Sequence, residues 1–459
     1  MDLHTHLAQL QSTSIYHLLQ ARERTQRPIR VGVVGAGATG RAIVLQLGTP
    51  VPGIRLAGIS NRTPRHAERS FREAGIDRWT TVNSAREAEE AIRRGTPVLS
   101  DDPQVLTRCD AIDLIVEVTG TVDFGASVVL DAIAHRKAVV MVNAELDSLV
   151  GPLLKARADE AGVVLTHTDG DEPGVAMTLF RYVQSVGLRP VAAGNIKGMV
   201  DYYRTPETQQ AFAKTHDQDV RKVTSFADAT KLSMETCVLA NATGFGVGRR
   251  GMFGPACGYV RELANLLPAE AMLNGGIVDY SVGAAPHTGG FVIVHELNPH
   301  KRTQLAYYKL GDGPFYVFYT PYHLPHIQLP STIARAVLHN DATVAPINGP
   351  SCEVVTIAKR NLKAGERLDG VGGFCAYGLI ENYASARRLD ALPIALSDDC
   401  VLVRDVAKDQ VVGMSDVRLP QKRQIDALWL EQKRRWPVVQ RPESVNRPRS
   451  TQVDVTSMS

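Results

Sequence analysis

An apolar strand runs directly into a glycine-rich turn near the start of the chain, and this junction constrains the fold more than any other feature. The predicted strand is Ile29–Val34, and the turn after it reads Gly35-Ala36-Gly37-Ala38-Thr39-Gly40. A helical pattern follows over residues 41–48. In such a unit the first glycine permits the tight turn, the second lets backbone approach a pyrophosphate, and the third allows close helix–strand packing. The sequence therefore predicts a dinucleotide site at residues 35–40, facing the helix N-terminus; a purely structural glycine turn is the alternative.

The end of the second predicted strand indicates which dinucleotide binds. That strand, residues 55–59, is followed by Ser60-Asn61-Arg62 and not by the Asp or Glu that accepts hydrogen bonds from ribose hydroxyls in NAD enzymes. A guanidinium binds a 2′-phosphate, whereas a carboxylate would repel it. We therefore predict NADP(H) as the cofactor. The alternative is that Arg62 is an ordinary solvated surface charge. Thr119 and Gly120, which close a later strand, are predicted to lie against the nicotinamide ribose.

Strands and helices alternate over the first 150 residues, which is typical of a parallel, doubly wound α/β sheet of the Rossmann type. We assign residues 1–28 to an N-terminal helix, amphipathic over 6–24, and residues 29–150 to the NADP-binding Rossmann domain. The looser pattern of residues 151–344 predicts an α+β substrate and dimerisation domain, with 291–296 and 303–309 as an antiparallel pair and 314–325 as a rigid link.

The C-terminal part of the sequence has a different texture. Residues 345–419 are predicted to form a small, mostly-β domain of short strands and turns. Residues 420–459 are predicted to be a basic, partly mobile tail that holds one amphipathic helix and makes few contacts with the core.

Composition excludes several classes of protein. The 459 residues include 51 Lys and Arg against 48 Asp and Glu, and the excess positive charge lies in the tail, where no aromatic-interleaved basic stripe indicates nucleic-acid binding. No apolar stretch is long enough for a transmembrane helix, so no membrane partner is expected. Six scattered cysteines argue against a disulfide framework and for a cytoplasmic location.

Three polar clusters, at residues 168–174, 194–198 and 228–231, mark the start of the predicted substrate domain. Hydride transfer to a carbonyl leaves negative charge on oxygen, which a nearby lysine or metal ion stabilises. Lys197 and Lys231 are suitable donors, and they are predicted to act with Glu172 and Asp228 as the catalytic residues. Carboxylates at Asp169, Asp171 and Glu172 are candidates for binding Mg²⁺ or Mn²⁺, or for orienting those lysines. The alternatives are a solvated helix N-terminus for the acids and a surface position for Lys231.

These clusters, together with residues 142–146, resemble segments of the homoserine dehydrogenase family, and the resemblance extends over about the first 250 residues. The segments are Val142-Asn143-Ala144-Glu145-Leu146, Asp171-Glu172-Pro173-Gly174, Gly194-Asn195-Ile196-Lys197-Gly198 and Asp228-Ala229-Thr230-Lys231-Leu232. The resemblance implies that Asn143 contacts the cofactor. It also shows a departure, because Glu145 stands where the family carries lysine, so homoserine is not the expected substrate.

A resemblance over nearly the whole chain is to homoserine-dehydrogenase-like proteins with a C-terminal SAF domain, and residues 356–368 carry the SAF-like segment. One branch of this group, the 1-deoxy-D-xylulose 5-phosphate reductoisomerase-like enzymes, is NADP-dependent, uses a divalent metal and forms dimers. This resemblance implies a homodimer or homotetramer acting on a small-molecule substrate.

The predicted function is that of an NADP-dependent oxidoreductase acting on a small polyhydroxylated or phosphorylated carbonyl or alcohol substrate. The most specific form of this prediction is a reductoisomerase-like reaction. The alternatives are a simple sugar, polyol or hydroxy-acid dehydrogenase, a lyase or decarboxylase that retains its nucleotide, and a non-catalytic NADP-binding sensor. Dependence on a metal ion would separate the rearrangement from simple dehydrogenation.

Overall fold

The computed structural model describes residues 14–438, and its first domain is built on a seven-stranded sheet. All neighbouring strands in this sheet are parallel, and their order is β3-β4-β2-β1-β5-β6-β7. The strands are β1 Ile29–Val34, β2 Ile54–Ser60, β3 Thr80–Thr81, β4 Val98–Ser100, β5 Leu114–Glu117, β6 Ala138–Met141 and β7 Leu165–His167. The helices are α1 Ile15–Arg24, α2 Ala38–Gly48, α3 Pro64–Glu73, α4 Ala85–Arg93, α5 Gln104–Thr107, α6 Val122–Ala134 and α7 Ala144–Ala161.

Alternation along β5 shows that both faces of this sheet are covered. Leu114 and Val116 pack in one buried cluster with Phe71 of α3, whereas Ile115 packs in another with Val128 of α6. Strands buried on both faces are a property of parallel sheets between two helix layers. The predicted doubly wound Rossmann fold is therefore confirmed. The predicted N-terminal helix is present as α1, and its first residues, 6–13, lie outside the described part of the chain.

The second domain contains a mixed four-stranded sheet of order β11-β10-β8-β9. Strand β10 is antiparallel to both of its neighbours, and β8 is parallel to β9. The strands are β8 Arg189–Lys197, β9 Ile277–Val282, β10 Gly290–His295 and β11 Phe315–Thr320. The helices are α8 Glu172–Ser185, α9 Pro206–Thr215, α10 Val220–Ala227, α11 Thr230–Thr243, α12 Leu263–Leu266, α13 Ala269–Leu273, α14 Pro299–Tyr307 and α15 Leu329–Leu338, with a 3₁₀ turn at Val260–Glu262.

One predicted strand pair in this domain is wrong. Residues 303–309 fall largely in helix α14, whose N-cap Asn298 accepts hydrogen bonds from two backbone amides and is followed by Pro299. These are standard helix-start signals. The partner of β10 is instead β11, within the segment predicted to be a rigid link, and Phe291 lies opposite Tyr319. Aromatic and β-branched residues favour such a strand.

The predicted β-rich character of the C-terminal region is confirmed, because residues 345–419 contain two small antiparallel ladders with short turns. This region comprises β12 Cys352–Ala358, β13 Ala376–Asn382, β14 Val401–Leu402 and β15 Val417–Arg418, with α16 Tyr383–Arg388 and 3₁₀ turns at Ile394–Leu396 and Met414–Asp416. Buried Lys359 fastens this domain to the second, because its amine lies 2.8 Å from an Asp228 carboxylate oxygen and donates to the carbonyl oxygen of Arg204 at 2.7 Å.

The tail prediction needs correction for residues 420–438. The expected helix exists as α17 Gln424–Arg435, but it packs on α6 and α7 and buries Ile425, Leu428 and Trp429. The indole of Trp429 donates to Glu353 at 2.7 Å, and Gln432 donates to the carbonyl oxygen of Leu149 at 2.8 Å. This segment is a core element that joins the β-rich domain to the first domain. Residues 439–459 lie outside the described part.

All six cysteines lie within residues 14–438, and none of them forms a disulfide. No helix in that range has the length and apolar character needed to cross a bilayer.

A buried histidine fastens the turn that leads from β7 into α8. The ring nitrogens of His167 lie 3.1 Å from an oxygen of Asp147 on α7 and 3.0 Å from an oxygen of Asp171, the N-cap of α8. Burial opposes a charge on His167, but the two carboxylates outweigh burial and raise its pKa to about 9. The imidazolium therefore holds Asp171, and with it the start of α8, in a fixed position.

We expect the stabilisation by His167 to depend on pH. Its folded pKa is raised above the unfolded value of about 6.5, so its contribution is complete below that pH and is lost as pH rises toward 9. The difference in free energy of unfolding between wild type and His167→Gln, measured by urea titration, should shrink from pH 6 to pH 10. The exposed His339→Gln is the control. A difference that stays constant over this range would contradict a charged His167.

Helix α17 should contribute strongly to stability. Trp429 is 1% exposed, so Trp429→Ala should lower the free energy of unfolding by about 3–5 kcal/mol through lost burial and a cavity. Leu430→Ala on the same helix removes a side chain that is 47% exposed and should change stability by about 0.5 kcal/mol or less. Equal, small effects in denaturant titrations would mean that the segment is a dispensable tail after all.

Candidate active site

The glycine turn lies at the point where the order of the parallel strands reverses. Strand β1 has β2 on one side and β5 on the other, and ligands of open α/β sheets bind beyond the strand ends at such a switch point. Gly35 has φ +117°, and a methyl group added to it would lie 2.8 Å from the Val118 carbonyl oxygen after β5. A methyl group at Gly40 would lie 2.3 Å from the Gly35 carbonyl oxygen. Both positions therefore require glycine, as predicted.

Gly37 faces open space, since nothing lies within 4 Å of a methyl group added there. It is the N-cap of α2, and no side chain caps the free N–H groups of that helix. The Ala36 amide is already bonded to the Asn61 side chain at 3.1 Å, so Asn61 braces the turn. The open approach and the uncapped amides form a binding surface suited to a phosphate.

A cavity of about 860 Å³ opens beside this turn. Its lining brings together the predicted cofactor residues Gly35, Gly37, Ser60, Asn61, Arg62, Thr119 and Gly120. Arg62 is exposed at the end of β2, and no ion pair or hydrogen bond occupies its guanidinium among residues 14–438. Two predicted cofactor residues line neither this cavity nor the second one described next: Gly40 packs behind the turn, and buried Asn143 caps α7 and donates to the Thr121 carbonyl oxygen.

A second cavity of about 750 Å³ also borders the turn and includes Ala38 and Thr39 in its lining. The two cavities share several lining residues, among them Ala36, Gly37, Val118, Gly120 and Glu145, so they adjoin, and together they are called the crevice below. Its far end is lined by residues from the second domain, among them Asp171, Glu172, Lys197, Lys231, Glu235 and His323. The dinucleotide-type domain and the polar clusters thus open onto one space.

Lys197, at the end of β8, is the centre of a buried charge cluster. Its amine pairs with a Glu172 oxygen at the start of α8 and lies 3.5 Å from Glu235. The Asn195 amide donates to the same Glu172 oxygen at 2.7 Å and fixes its orientation. Burial opposes the charge on Lys197, but Glu172 and Glu235 outweigh it and raise its pKa to about 12. Lys197 is therefore a cation at neutral pH.

Lys231, in the first turn of α11, forms a second pair with Glu145, at 3.3 Å. The carboxylate that replaces the lysine of the resembling family thus has a cationic partner on the facing helix. Burial opposes the charge on Lys231, yet Glu145, Glu235 and Asp171 raise its pKa. The structure brings three of the four residues predicted to be catalytic, Lys197, Lys231 and Glu172, to one end of the crevice.

Two further residues of this cluster were not predicted. Glu235 lies one helical turn beyond Lys231, so the i, i+4 spacing was a usable signal. Burial raises the pKa of Glu235 well above its usual value, and the nearby carboxylates of Glu172 and Asp171 add to the effect. His323 lies in the loop after β11, and no sequence pattern around it predicts that it belongs to the site. Burial lowers the pKa of His323, whose Nδ1 lies 2.9 Å from the Thr288 hydroxyl and 3.7 Å from Glu172.

Asp228 does not belong to this cluster. It is buried at the end of α10, lines neither cavity and pairs with Lys359 of the β-rich domain at 2.8 Å. Its contacts are those of a residue that joins domains.

Each of the three candidate metal ligands interacts with a different side chain. Asp169 lies 3.4 Å from Arg335 and Asp171 bonds to His167, whereas Glu172 pairs with Lys197. Within residues 14–438, no group of three or more His, Cys, Asp or Glu side chains is arranged to hold a metal ion. Asp169, Asp171 and Glu172 therefore do not fit a shared Mg²⁺ or Mn²⁺ site in this arrangement.

The solved structures to which this chain is similar include dehydrogenases and oxidoreductases of low sequence identity. Scyllo-inositol dehydrogenase from Lactobacillus casei, solved with NAD(H) and scyllo-inositol, is 10% identical, with 70% of this chain and 92% of that chain covered and a TM-score of 0.38. A probable dehydrogenase from Thermotoga maritima is 12% identical, with 70% and 91% covered and a TM-score of 0.37. An oxidoreductase from Agrobacterium radiobacter, solved with NAD⁺, L-tartaric acid and magnesium, is 15% identical, with 43% and 54% covered and a TM-score of 0.29.

The chain thus spans about half the length of the Agrobacterium radiobacter protein. No curated protein matches the sequence. The fold assignment rests on the strand order and the parallel pairing.

One family model matches part of the chain. Residues 170–329 match the model described as "Oxidoreductase DRL, catalytic domain". The matched segment contains Asp171, Glu172, Lys197, Lys231, Glu235 and His323, which are the residues that form the far end of the crevice. The part of the chain that is similar to this oxidoreductase catalytic domain is thus the part that carries the buried charge cluster.

Proposed function

We propose that this protein is an NADP(H)-dependent oxidoreductase that acts on a small polyhydroxylated or phosphorylated carbonyl or alcohol substrate. The observation that carries the proposal is the pair of adjoining cavities: one is lined by exposed Arg62, the other by the Lys197 cluster, and both are lined by Gly37 at the uncapped N-terminus of α2. An elongated dinucleotide has the same sequence of groups: a phosphorylated ribose, a pyrophosphate and a reactive ring. Each part of it would meet residues of suitable chemistry.

The adenosine end of the cofactor is assigned to Arg62. The end of β2 offers no carboxylate, and the exposed guanidinium has no competing partner among residues 14–438, so it can form charge-assisted hydrogen bonds with a 2′-phosphate. Thr119 and Gly120 then line the middle of the crevice, next to the junction of the two cavities. This orientation directs the nicotinamide ring toward the pair formed by Lys231 and Glu145.

The reactive end is suited to a substrate with several oxygen atoms. Two lysines, three carboxyl groups and a histidine lie close together there, so adjacent donors and acceptors are available to successive hydroxyl, carbonyl or phosphoryl groups. An apolar substrate would desolvate these charged groups and offer them no hydrogen bonds in return.

The proton chemistry follows from the states of these groups. When bound, the reduced nicotinamide supplies the hydride. Lys197 is charged at neutral pH and can donate a hydrogen bond to the carbonyl oxygen as negative charge develops on it. Glu235, whose pKa is raised by burial, can hold the proton that completes the alcohol in reduction and can accept it in oxidation. Asn195 and His167 position this machinery through Glu172 and Asp171.

Simple dehydrogenation is favoured over a reductoisomerase-like rearrangement. The rearrangement would need a divalent cation on the substrate oxygens, and Asp169, Asp171 and Glu172 do not converge on such a site. A screen of ketose phosphates, polyols and hydroxy acids with NADP(H), with and without Mg²⁺ or Mn²⁺, separates the two. The non-catalytic sensor is disfavoured because the cluster lies within the segment that matches an oxidoreductase catalytic domain.

Arg62→Ala should weaken binding of NADP⁺ much more than binding of NAD⁺, because only NADP⁺ carries the phosphate assigned to the guanidinium. We expect a loss of about tenfold or more for NADP⁺ and little change for NAD⁺ in calorimetric titrations. Arg65→Ala, an exposed arginine on α3 that lines neither cavity, is the matched control. Equal losses for both dinucleotides at Arg62 would remove the preference for NADP.

Lys197→Met should lower kcat by about tenfold or more, with dinucleotide affinity unchanged, because it removes a donor that acts as charge develops in the transition state. Turnover is followed by absorbance of the reduced nicotinamide on the best substrate of the screen, and dinucleotide affinity by calorimetry. Lys301→Met, an exposed lysine on α14, is the control and should be fully active. Full activity of Lys197→Met would make that lysine structural.

A further inference from the structure

A lysine of the second domain reaches across the crevice to the turn after β5. Lys222 lies on α10, and its amine nitrogen would be 2.8 Å from a methyl group added at Gly120. Gly120 has φ +64°, so the turn already requires glycine for its left-handed backbone, and the missing side chain leaves room for the amine. Two domains meet at this contact, directly beside the glycine turn.

The position of Lys222 along the crevice is distinctive. It lines both cavities, together with Ala36, Gly37 and Gly120, and so stands at their junction. Among residues 14–438, no carboxylate pairs with its amine, whereas Lys197 and Lys231 are both held by glutamates. The junction therefore has a cation on one side and the uncapped amides of α2 on the other.

Contacts to the first domain hold the segment that carries Lys222. Asp217 accepts hydrogen bonds from Arg41 of α2 at 2.9 Å and from Arg69 of α3 at 3.0 Å. Asp219, the N-cap of α10, then accepts from the Lys222 backbone amide at 3.0 Å. These contacts fasten the start of α10 beside the dinucleotide domain, so the backbone that carries Lys222 has a defined position.

We propose that Lys222 is a ligand of the pyrophosphate bridge of the dinucleotide, supplied by the second domain. This inference rests on the proposed function, since it needs a dinucleotide in the crevice. The bridge would lie between the α2 amides and the Lys222 ammonium, which together neutralise its charge. Every dinucleotide carries this bridge, so Lys222 contributes to affinity without distinguishing NADP from NAD. That separates its role from the role assigned to Arg62.

The experiment is calorimetric titration of the full chain with NADP⁺ and with NAD⁺. Lys222→Met should weaken both by the same factor, about tenfold, because it removes one charge-assisted contact to a group they share. Lys222→Arg, which keeps the charge, should recover most of the affinity. Lys214→Met, an exposed lysine of the neighbouring helix α9 that lines neither cavity, should bind as wild type does.

The outcomes separate this inference from the proposed function. If wild type binds NADP⁺ and Lys222→Met binds both dinucleotides as tightly as wild type, the assignment of Lys222 is overturned and the proposed function stands. A loss confined to NADP⁺ would also overturn it, because it would place the lysine at the 2′-phosphate. If wild type binds neither dinucleotide, the proposed function itself fails and this inference fails with it.

Discussion

The close backbone approach between Gly35 and the carbonyl of Val118 is the constraint on which the rest of this molecule depends. It brings the ends of β1 and β5 together at the switch point of the sheet, and any side chain at position 35 would prevent it. The approach aims α2 at the crevice and leaves Gly37 open to solvent. A surface suited to a phosphate thus follows from two neighbouring strand ends and a missing side chain.

The second domain adds chemistry to that surface by presenting the ends of three elements to the same crevice. The end of β8 contributes Lys197, while the starts of α8 and α11 contribute Glu172 and Lys231. Each cation is balanced by a carboxylate from another element, and the pair of Lys231 with Glu145 also joins the second domain to the first. Such pairing is the condition under which ionised groups can be buried at all.

The sequence predicted those features of the fold and site that depend on residues close together in the chain. The glycine turn, the alternating first domain and the positions of Lys197 and Lys231 follow from spacing within a few residues. The failures concern partners that are distant in the chain: Asp228 bonds to Lys359, His323 arrives from a loop, and α17 docks through Trp429 on Glu353. An amphipathic helix near a chain end has the same sequence pattern whether it packs on the core or stays exposed, so the pattern alone could not predict the packing of α17. The β10–β11 pair was missed because aromatic residues between prolines suggested a link.

A crystal structure of the protein with NADP⁺ tests the central claim most directly. The account predicts the 2′-phosphate beside the Arg62 guanidinium, the pyrophosphate against residues 35–40, and the nicotinamide ring facing the end of the crevice that holds Lys197. A crevice closed by its own side chains, or a nucleotide bound elsewhere on the molecule, would contradict it.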